Sequence, residues 1–533
     1  MAARVLRLAL ALLATSTFVP TVFGDTGHKA FMDINHALQR TKKDAKIASH
    51  LLSLTDTAVN SSAEKFRFLN DNTKKYQVTS LPLVNHDVGE MYSGNIPIDM
   101  KNTSRTLFFV FQPTLGPEVD EITIWLNGGP GCSSLQGFFQ ENGRFIFMPG
   151  TYQPIVNEYS YVNLTNVLWV EQPVGTGFST GEITATSEAD VGRDFADFFL
   201  NFQKIFGIKK FKIYFTGESY AGMYIPHITN EFLDRNDTDH FDISGALIID
   251  PCIGDCDYAQ VTIPTVPYIH KNNDQFFGLN QTFLAELVAL DEKCGFADYR
   301  KKYLVYPPSG LQPPTPQDYL KGGECQIWSN TIDQILSVNP CASPYQIVSQ
   351  CPFNSDIMGD PYPDNQVYFD RADVKKALHA PDMFWTQCAD HNVFAGDGND
   401  NSLPPIQKVL PRLIEHTNRV VVTNGDYDFR ILNDGVLLSI QNMTWNGKMG
   451  FQSKPSEPVV ITLPDLQWTS WLTNNGEYRP LFFEDPQGTM GIQHYERGLL
   501  WVQAFQAGHE QPQYQPRMSY RQLQYVLGRI DKL

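Results

Sequence analysis

Positive charge is scarce in this 533-residue sequence: 41 Lys and Arg stand against 58 Asp and Glu, a formal charge of -17. Such a balance disfavours phosphate-backbone binding, so nucleic acid is not an expected partner. Ligand spacing for a metal is also missing, because the pair Cys252 and Cys256 has no second Cys pair or His pair to complete a site. The glycine-dense stretch after Trp125 ends in neither Gly-Lys-Ser/Thr nor a nicotinamide fingerprint, which argues against a bound nucleotide. No metal and no cofactor is expected. Beyond the N-terminus no apolar run approaches the ~20 residues of a membrane span, and Gly528 to Leu533 lacks a lipid-anchor tail, so stable membrane association is not expected either. Internal repeats are absent.

What is present begins with export signals. Arg4 and Arg7 precede an apolar run from Leu8 to Ala14 and then Val22-Phe-Gly24, the order of a secretory signal cleaved after residue 24. Eight cysteines, at 132, 252, 256, 294, 325, 341, 351 and 388, form an even, scattered set that reads as disulfides. Sequons at Asn60, Asn102, Asn163, Asn236, Asn280 and Asn442 offer glycan sites. The expected location is extracellular, with a vacuolar or lysosome-like compartment as the alternative.

The organisation follows the hydrophobic rhythm. Residues 25–75 are polar and Lys-rich with two helical stretches, an arm or propeptide. Leu107 to Phe111, Ile122 to Leu126, Val167 to Val170, Phe211 to Thr216, Ala246 to Ile249, Arg419 to Thr423 and Leu499 to Phe505 read as strands of a buried sheet. Between them lie helices, one from about Ser187 with Phe195, Phe198, Phe199, Phe202 and Phe206 on one face, one from Met223 to Leu233, and one before Asn418. Strands alternating with helices predict an α/β fold whose mostly parallel sheet is covered on both faces. The rhythm lapses over 256–364, where Cys and Pro accumulate, and that segment reads as an inserted cap subdomain between core parts 76–255 and 365–533.

One set of residues points to acyl transfer, which needs an exposed nucleophile, a base, an acid that orients the base, and amide donors for the oxyanion. Ser219 sits at a strand-to-helix turn between Gly217 and Ala221-Gly222, although Ala221 replaces the last Gly of Gly-x-Ser-x-Gly. Asp426 and Asp428 follow a later strand, and His509 follows the last one, giving the order Ser, Asp, His. After Trp125 the glycine-dense loop places Gly129 to offer one oxyanion amide, with that of Tyr220 as the other.

The blocks Trp125 to Ser134, Glu171 to Ser179, Gly217 to Gly222, Tyr368 to Leu378 and Gly425 to Asp428 resemble the serine carboxypeptidase family with its α/β-hydrolase fold. The resemblance implies Ser219 as nucleophile, Asp428 as the triad acid, Asp426 as structural, and His509 as base. It implies further that Asn127, the Gly128 amide, Glu141 and Glu218 recognise the free carboxylate of peptide and protein C-termini, and that Cys132 pairs with Cys388. Where the family carries Met-Val-Pro after the His, this sequence has Glu510-Gln-Pro512, which places a carboxylate in the leaving-residue pocket. Ile431 likewise stands where some members carry a Cys. Two carboxyl groups in one site should share a proton, so binding is expected to be strongest at acidic pH. The alternatives are an acyltransferase on the same scaffold and a catalytically silent binding protein.

Overall fold

Strand segments that are apolar at every position, rather than at alternate ones, demand cover on both faces, and the computed structural model supplies it. The structure describes residues 66–148, 153–349, 367–461, 466 and 487–533. The predicted signal segment, the two predicted helices before residue 65, Asn60 and Cys351 lie outside these residues. Lys65–Leu463 and Asp485–Leu533 form the unit considered below.

Ten strands make one sheet: β1 (Tyr92–Pro97), β2 (Thr106–Gln112), β3 (Glu121–Leu126), β4 (Asn166–Glu171), β5 (Lys212–Glu218), β6 (Asp242–Ile249), β7 (Val420–Gly425), β8 (Glu457–Ile461), β9 (Gly488–Glu496) and β10 (Leu499–Ala504). Their spatial order is β1-β2-β4-β3-β5-β6-β7-β10-β9-β8. From β4 through β10 every ladder is parallel. Antiparallel pairs finish both edges. Every residue of β3, β4 and β7 is buried, which accounts for their unbroken apolar runs.

Two helices pack against the sheet next to its centre. The helix Glu188–Phe206 buries Phe195, Phe198, Phe199, Phe202 and Phe206, as its three- and four-residue spacing predicts. The ring of Phe202 lies 5.5 Å from that of Phe109 and 5.2 Å from that of Phe111, both on β2. Phe68, near the start of the described chain, joins the same cluster 5.2 Å from Phe111.

The second helix, Ala221–Arg235, begins two residues before the predicted Met223. Pro226 therefore lies beyond the first turn, and its missing N–H leaves the helix one bond short. The hydroxyl of Thr229 donates to the carbonyls of Ile225 (2.8 Å) and Pro226 (3.1 Å), tightening the next turn. The early start puts the helix N-terminus directly against the turn at Ser219.

Between β6 and β7 the main sheet gains no strand among the described residues. Helices Thr265–Asn272, Gln281–Lys293, Phe296–Tyr303 and Ile327–Val338 occupy this stretch. Their apolar faces gather Ile269, Leu284, Leu287, Phe296 and Ile335 around Phe429 and Leu432 from beyond β7, and Cys294 is bonded to Cys325. Sequence patterning missed β1, β8 and β9. In β9 only Met490, Gly491 and Gln493 are fully buried, so its apolar content is low for a strand of the main sheet.

Replacing Phe202 by Ala should leave a cavity against β2 and lower stability by about 3 to 5 kcal/mol. Chemical denaturation should show a lower midpoint with an unchanged slope; an unaltered midpoint would remove the Phe stripe from the core.

Candidate active site

At the end of β5, Ser219 adopts φ +62°, a left-handed conformation that a side-chain-bearing residue takes only under constraint. The constraint is visible in the hydrogen bonds. Ser219 N donates to the Ile249 carbonyl at 2.9 Å, while its own carbonyl accepts from Gly222 N and Cys252 N at 3.0 Å each. A Cβ at Gly217 would collide with the Leu126 carbonyl oxygen, and one at Gly222 with that of Cys252. Close approach on the helix side thus falls at Gly222, one place after Ala221, and the departure from Gly-x-Ser-x-Gly is accommodated.

The ends of β7 and β10 bring in the acid and the imidazole. His509 Nδ1 and Asp428 Oδ2 are 2.7 Å apart, and both residues are buried. Asp428 Oδ1 accepts from the amides of Arg430 (2.6 Å) and Ile431 (3.1 Å). Asp426 turns elsewhere, accepting from Gln506 N at 2.7 Å. Burial pushes the His509 imidazole toward its neutral form, but the charge and hydrogen bond of Asp428, with Glu510 behind them, outweigh it and raise its pKa above 6.5. Ser219 and His509 line one cavity of about 900 Å³, together with Asn127, Gly128, Gly129, Glu218, Tyr220 and Glu510.

The glycine-dense loop lies against the Ser219 turn. A Cβ at Gly128 would come 2.7 Å from Ser219 Cβ, and Gly129 takes φ +112°, so neither position admits a side chain without movement. Cys132 is bonded to Cys388, and on either side Ser133 N donates to Gln387 O (2.7 Å) and Ala389 N to Gly131 O (2.9 Å). Cys252 and Cys256 are joined to each other, which removes them as metal ligands.

Glu218 and Glu510 line the cavity, and Glu141 is buried beside Glu218. Asn127 Oδ1 accepts from Trp125 Nε1 (2.7 Å) and Gly137 N (3.1 Å), which fixes its amide so that Nδ2 donates to Glu218 Oε1 (2.7 Å) and Glu141 Oε1 (3.4 Å). Glu141 Oε2, Glu218 Oε2 and Glu510 Oε2 are buried without a hydrogen-bond donor. Burial and then the Glu510 charge push Glu141 up to about 8. Burial, then the charges of Glu141 and Glu510, drive Glu218 well above the usual carboxylate range. Glu510 is raised by burial as well, with the His509 charge opposing. Among the described residues no cation is paired with Glu141 or Glu218, so a proton takes that place.

Two acidic residues beside these were not singled out from sequence. Asp400 accepts from the Tyr220 hydroxyl at 2.7 Å. Asp250, fully buried, stands directly after β6, and the signal for it was a lone acid closing the apolar strand Ala246 to Ile249.

The sequence model of the serine carboxypeptidases matches residues 82–529. The chain belongs to the serine carboxypeptidase family. This serine-type carboxypeptidase is 52% identical over 533 residues to serine-type carboxypeptidase F of Aspergillus niger, covering 98% of this chain and 97% of the relative. It is 41% identical over 487 residues to a probable serine carboxypeptidase of Arthroderma benhamiae, covering 87% and 88%. The crystal structure of Kex1(delta)p, a prohormone-processing carboxypeptidase of Saccharomyces cerevisiae, superposes with a TM-score of 0.64 at 24% identity over 86% of this chain and 96% of that one. At that identity the superposition speaks to the α/β-hydrolase fold.

Proposed function

We propose that this enzyme is exported and hydrolyses the last peptide bond of peptide and protein C-termini through an acyl-enzyme on Ser219, most effectively in acid. The observation that carries the reading is the 2.7 Å His509–Asp428 contact at the wall of the cavity that Ser219 enters from its left-handed turn. Ser219 Oγ attacks the scissile carbonyl carbon as His509 takes its proton, and the amides of Gly129 and Tyr220 receive the oxyanion. The C–N bond then breaks and the departing amino acid takes the proton from His509; water, deprotonated by the same imidazole, attacks the acyl carbon, and as the acyl–Oγ bond breaks His509 returns the proton to Ser219 Oγ. Asn127, the Gly128 amide and the proton-sharing Glu141 and Glu218 hold the substrate's terminal carboxylate.

Export is supported by the residue 1–24 pattern and by the bonded cysteines at 132–388, 252–256 and 294–325. The remaining boundaries of this reading are an arm over 25–75, core parts over 76–255 and 365–533, and a cap over 256–364. The sequon residues Asn102, Asn236 and Asn280 are exposed, whereas Asn163 and Asn442 are half-buried with side chains engaged by Glu158 O and Gln312 N. The first three are the better glycan acceptors. Among the described residues no helix is long and apolar enough to cross a membrane.

Ser219→Ala should abolish release of C-terminal residues from an N-blocked dipeptide while the melting temperature stays near wild type. Residual trimming at more than about a thousandth of the wild-type rate would remove Ser219 from the nucleophile's role.

A shared proton makes binding pH-dependent with a definite sign. Glu141 and Glu218 have raised pKa values, so they are protonated in acid and donate to the substrate carboxylate there, and Glu141, pushed up to about 8, ceases to donate as pH climbs through that value. KM for the free-acid dipeptide should therefore rise with pH, while KM for the corresponding amide should not. A KM for the free acid that stays flat across the range would end the pairing.

Glu510 lies in the pocket proposed for the leaving residue, next to the Glu141 and Glu218 pair. With its Oε2 lacking a donor, a Lys or Arg leaving residue would supply one. Glu510→Met should lower the ratio of kcat/KM for C-terminal Arg over Leu by about tenfold; an unchanged ratio rejects the assignment.

A further inference from the structure

Asp250 closes β6, the strand that pairs with β5 on one side and β7 on the other. Its backbone takes φ +42°, its N–H donates to Thr423 O at 2.7 Å, and its side chain is shut off from water. Oδ1 accepts from Gly425 N (2.8 Å) and Asn424 Nδ2 (3.2 Å). Oδ2 is buried and meets no donor. The side chain within hydrogen-bonding reach is the carboxyl of Asp428. Two carboxylates repel at such a distance, whereas one proton between them makes an O–H···O hydrogen bond that satisfies Asp250 Oδ2. Asp428 can accept it, since His509 and two amides use three of its roughly four acceptor positions.

We propose that Asp250 is a positioning residue of the Ser219–His509–Asp428 triad: a neutral carboxylic acid that hydrogen-bonds the Asp428 carboxylate. The bond fixes the plane of the Asp428 carboxylate toward Nδ1 and draws negative charge away from it. His509 is then a weaker base than a fully charged Asp428 would make it, and it stays neutral, able to accept the Ser219 proton, further into acid. The titratable groups that face Asp250 are Asp428, Glu218 and the Tyr268 phenol, none of them a cation. Beyond Asp428 stand His509 and Arg430, the latter opposing protonation of the imidazole. Burial first and the Asp428 charge second hold the proton on Asp250, well above the usual carboxylate range. The inference rests on the triad assigned above.

The experiment is the pH dependence of kcat and kcat/KM on an N-blocked dipeptide for wild type, Asp250→Asn and Asp250→Ala, with Ser219→Ala run alongside. If Ser219→Ala retains activity the triad itself falls, irrespective of Asp250. With the triad standing, Asn, a neutral donor of the same shape, should keep kcat within about threefold and leave the acid limb in place. Ala should move the acid limb up by about one pH unit, lowering activity in acid about tenfold and restoring most of it at higher pH. An unmoved limb in a folded Ala protein overturns the proposal, as does an Asn protein as impaired as Ala with an intact melt. Should Ala fail to fold, Asn decides: a limb shifted down by about one unit means that Asp250 was ionised, and an unshifted limb supports the neutral acid. Melting curves give a second reading. A raised native pKa means that wild type loses stability as pH rises above the unfolded carboxyl value, so the melting temperature of Asn should gain on wild type with increasing pH. A constant gap would overturn the protonated state.

Discussion

Carboxyl groups withdrawn from water, with no Lys or Arg paired to them among the described residues, are the constraint around which this protein is arranged. Glu141, Glu218, Glu510 and Asp250 are held at the C-terminal ends of parallel strands or against them, and each is driven toward its acid form mainly by burial. An ion pair would have been the cheaper way to keep them charged, yet none of their hydrogen-bond partners is Lys or Arg. Protons take the place of counterions, and a proton on a carboxyl group turns an acceptor into a donor. Such a donor is what a free carboxylate on a substrate, or the carboxylate of Asp428, requires.

The sheet makes this crowding possible. Parallel neighbours β3, β5, β6, β7 and β10 all finish at the same edge, so Asn127, Ser219, Asp250, Asp428 and His509 are delivered together although the chain separates them widely. Backbone constraint then aims them. The left-handed turn at Ser219, the glycines at 217 and 222 and the Gly128 backbone pressed on the same turn leave the hydroxyl little choice but the cavity. The Cys132–Cys388 bond and the amide pairs around it hold the glycine-dense loop to a distant part of the chain, which keeps its N–H groups in register with Ser219.

How much of this was legible follows from which interactions are local. The strands β3, β4 and β7 announce themselves because a strand buried on both faces has no polar alternation to confuse with a helix, and the Phe stripe from 195 to 206 announces its helix by spacing. Ser219 and His509 were legible through order along the chain, which left Asp426 and Asp428 open until the family resemblance chose Asp428, and Gly217 and Gly222 were legible through the turn they allow. By contrast, β9 carries too few apolar residues to be seen, and the start of the helix at Ala221 was hidden because Pro226 suggested a first turn. Asp250 illustrates the larger limit. An acid after a strand looks like a solvated loop residue until β7 is placed beside β6 and the oxygens of Asp428 come within reach, a juxtaposition no local pattern encodes.

In the mechanism proposed above, two demands pull the pH response of the site in opposite directions. Holding a carboxylate with the Glu141 and Glu218 pair requires acid, while accepting the Ser219 proton requires a neutral His509, whose charged form Asp428 and Glu510 both stabilise. Were Asp428 to carry its full charge, the imidazole would be protonated over much of the range in which the substrate binds best, and the two limbs would leave a narrow window. The proposed sharing of the Asp428 charge with a protonated Asp250 would widen that window from the acid side without touching the carboxylate-binding groups. Glu510 works against it, since its ionised form would both hold a proton on His509 and raise Glu218, and burial, which raises its own pKa, limits that opposition.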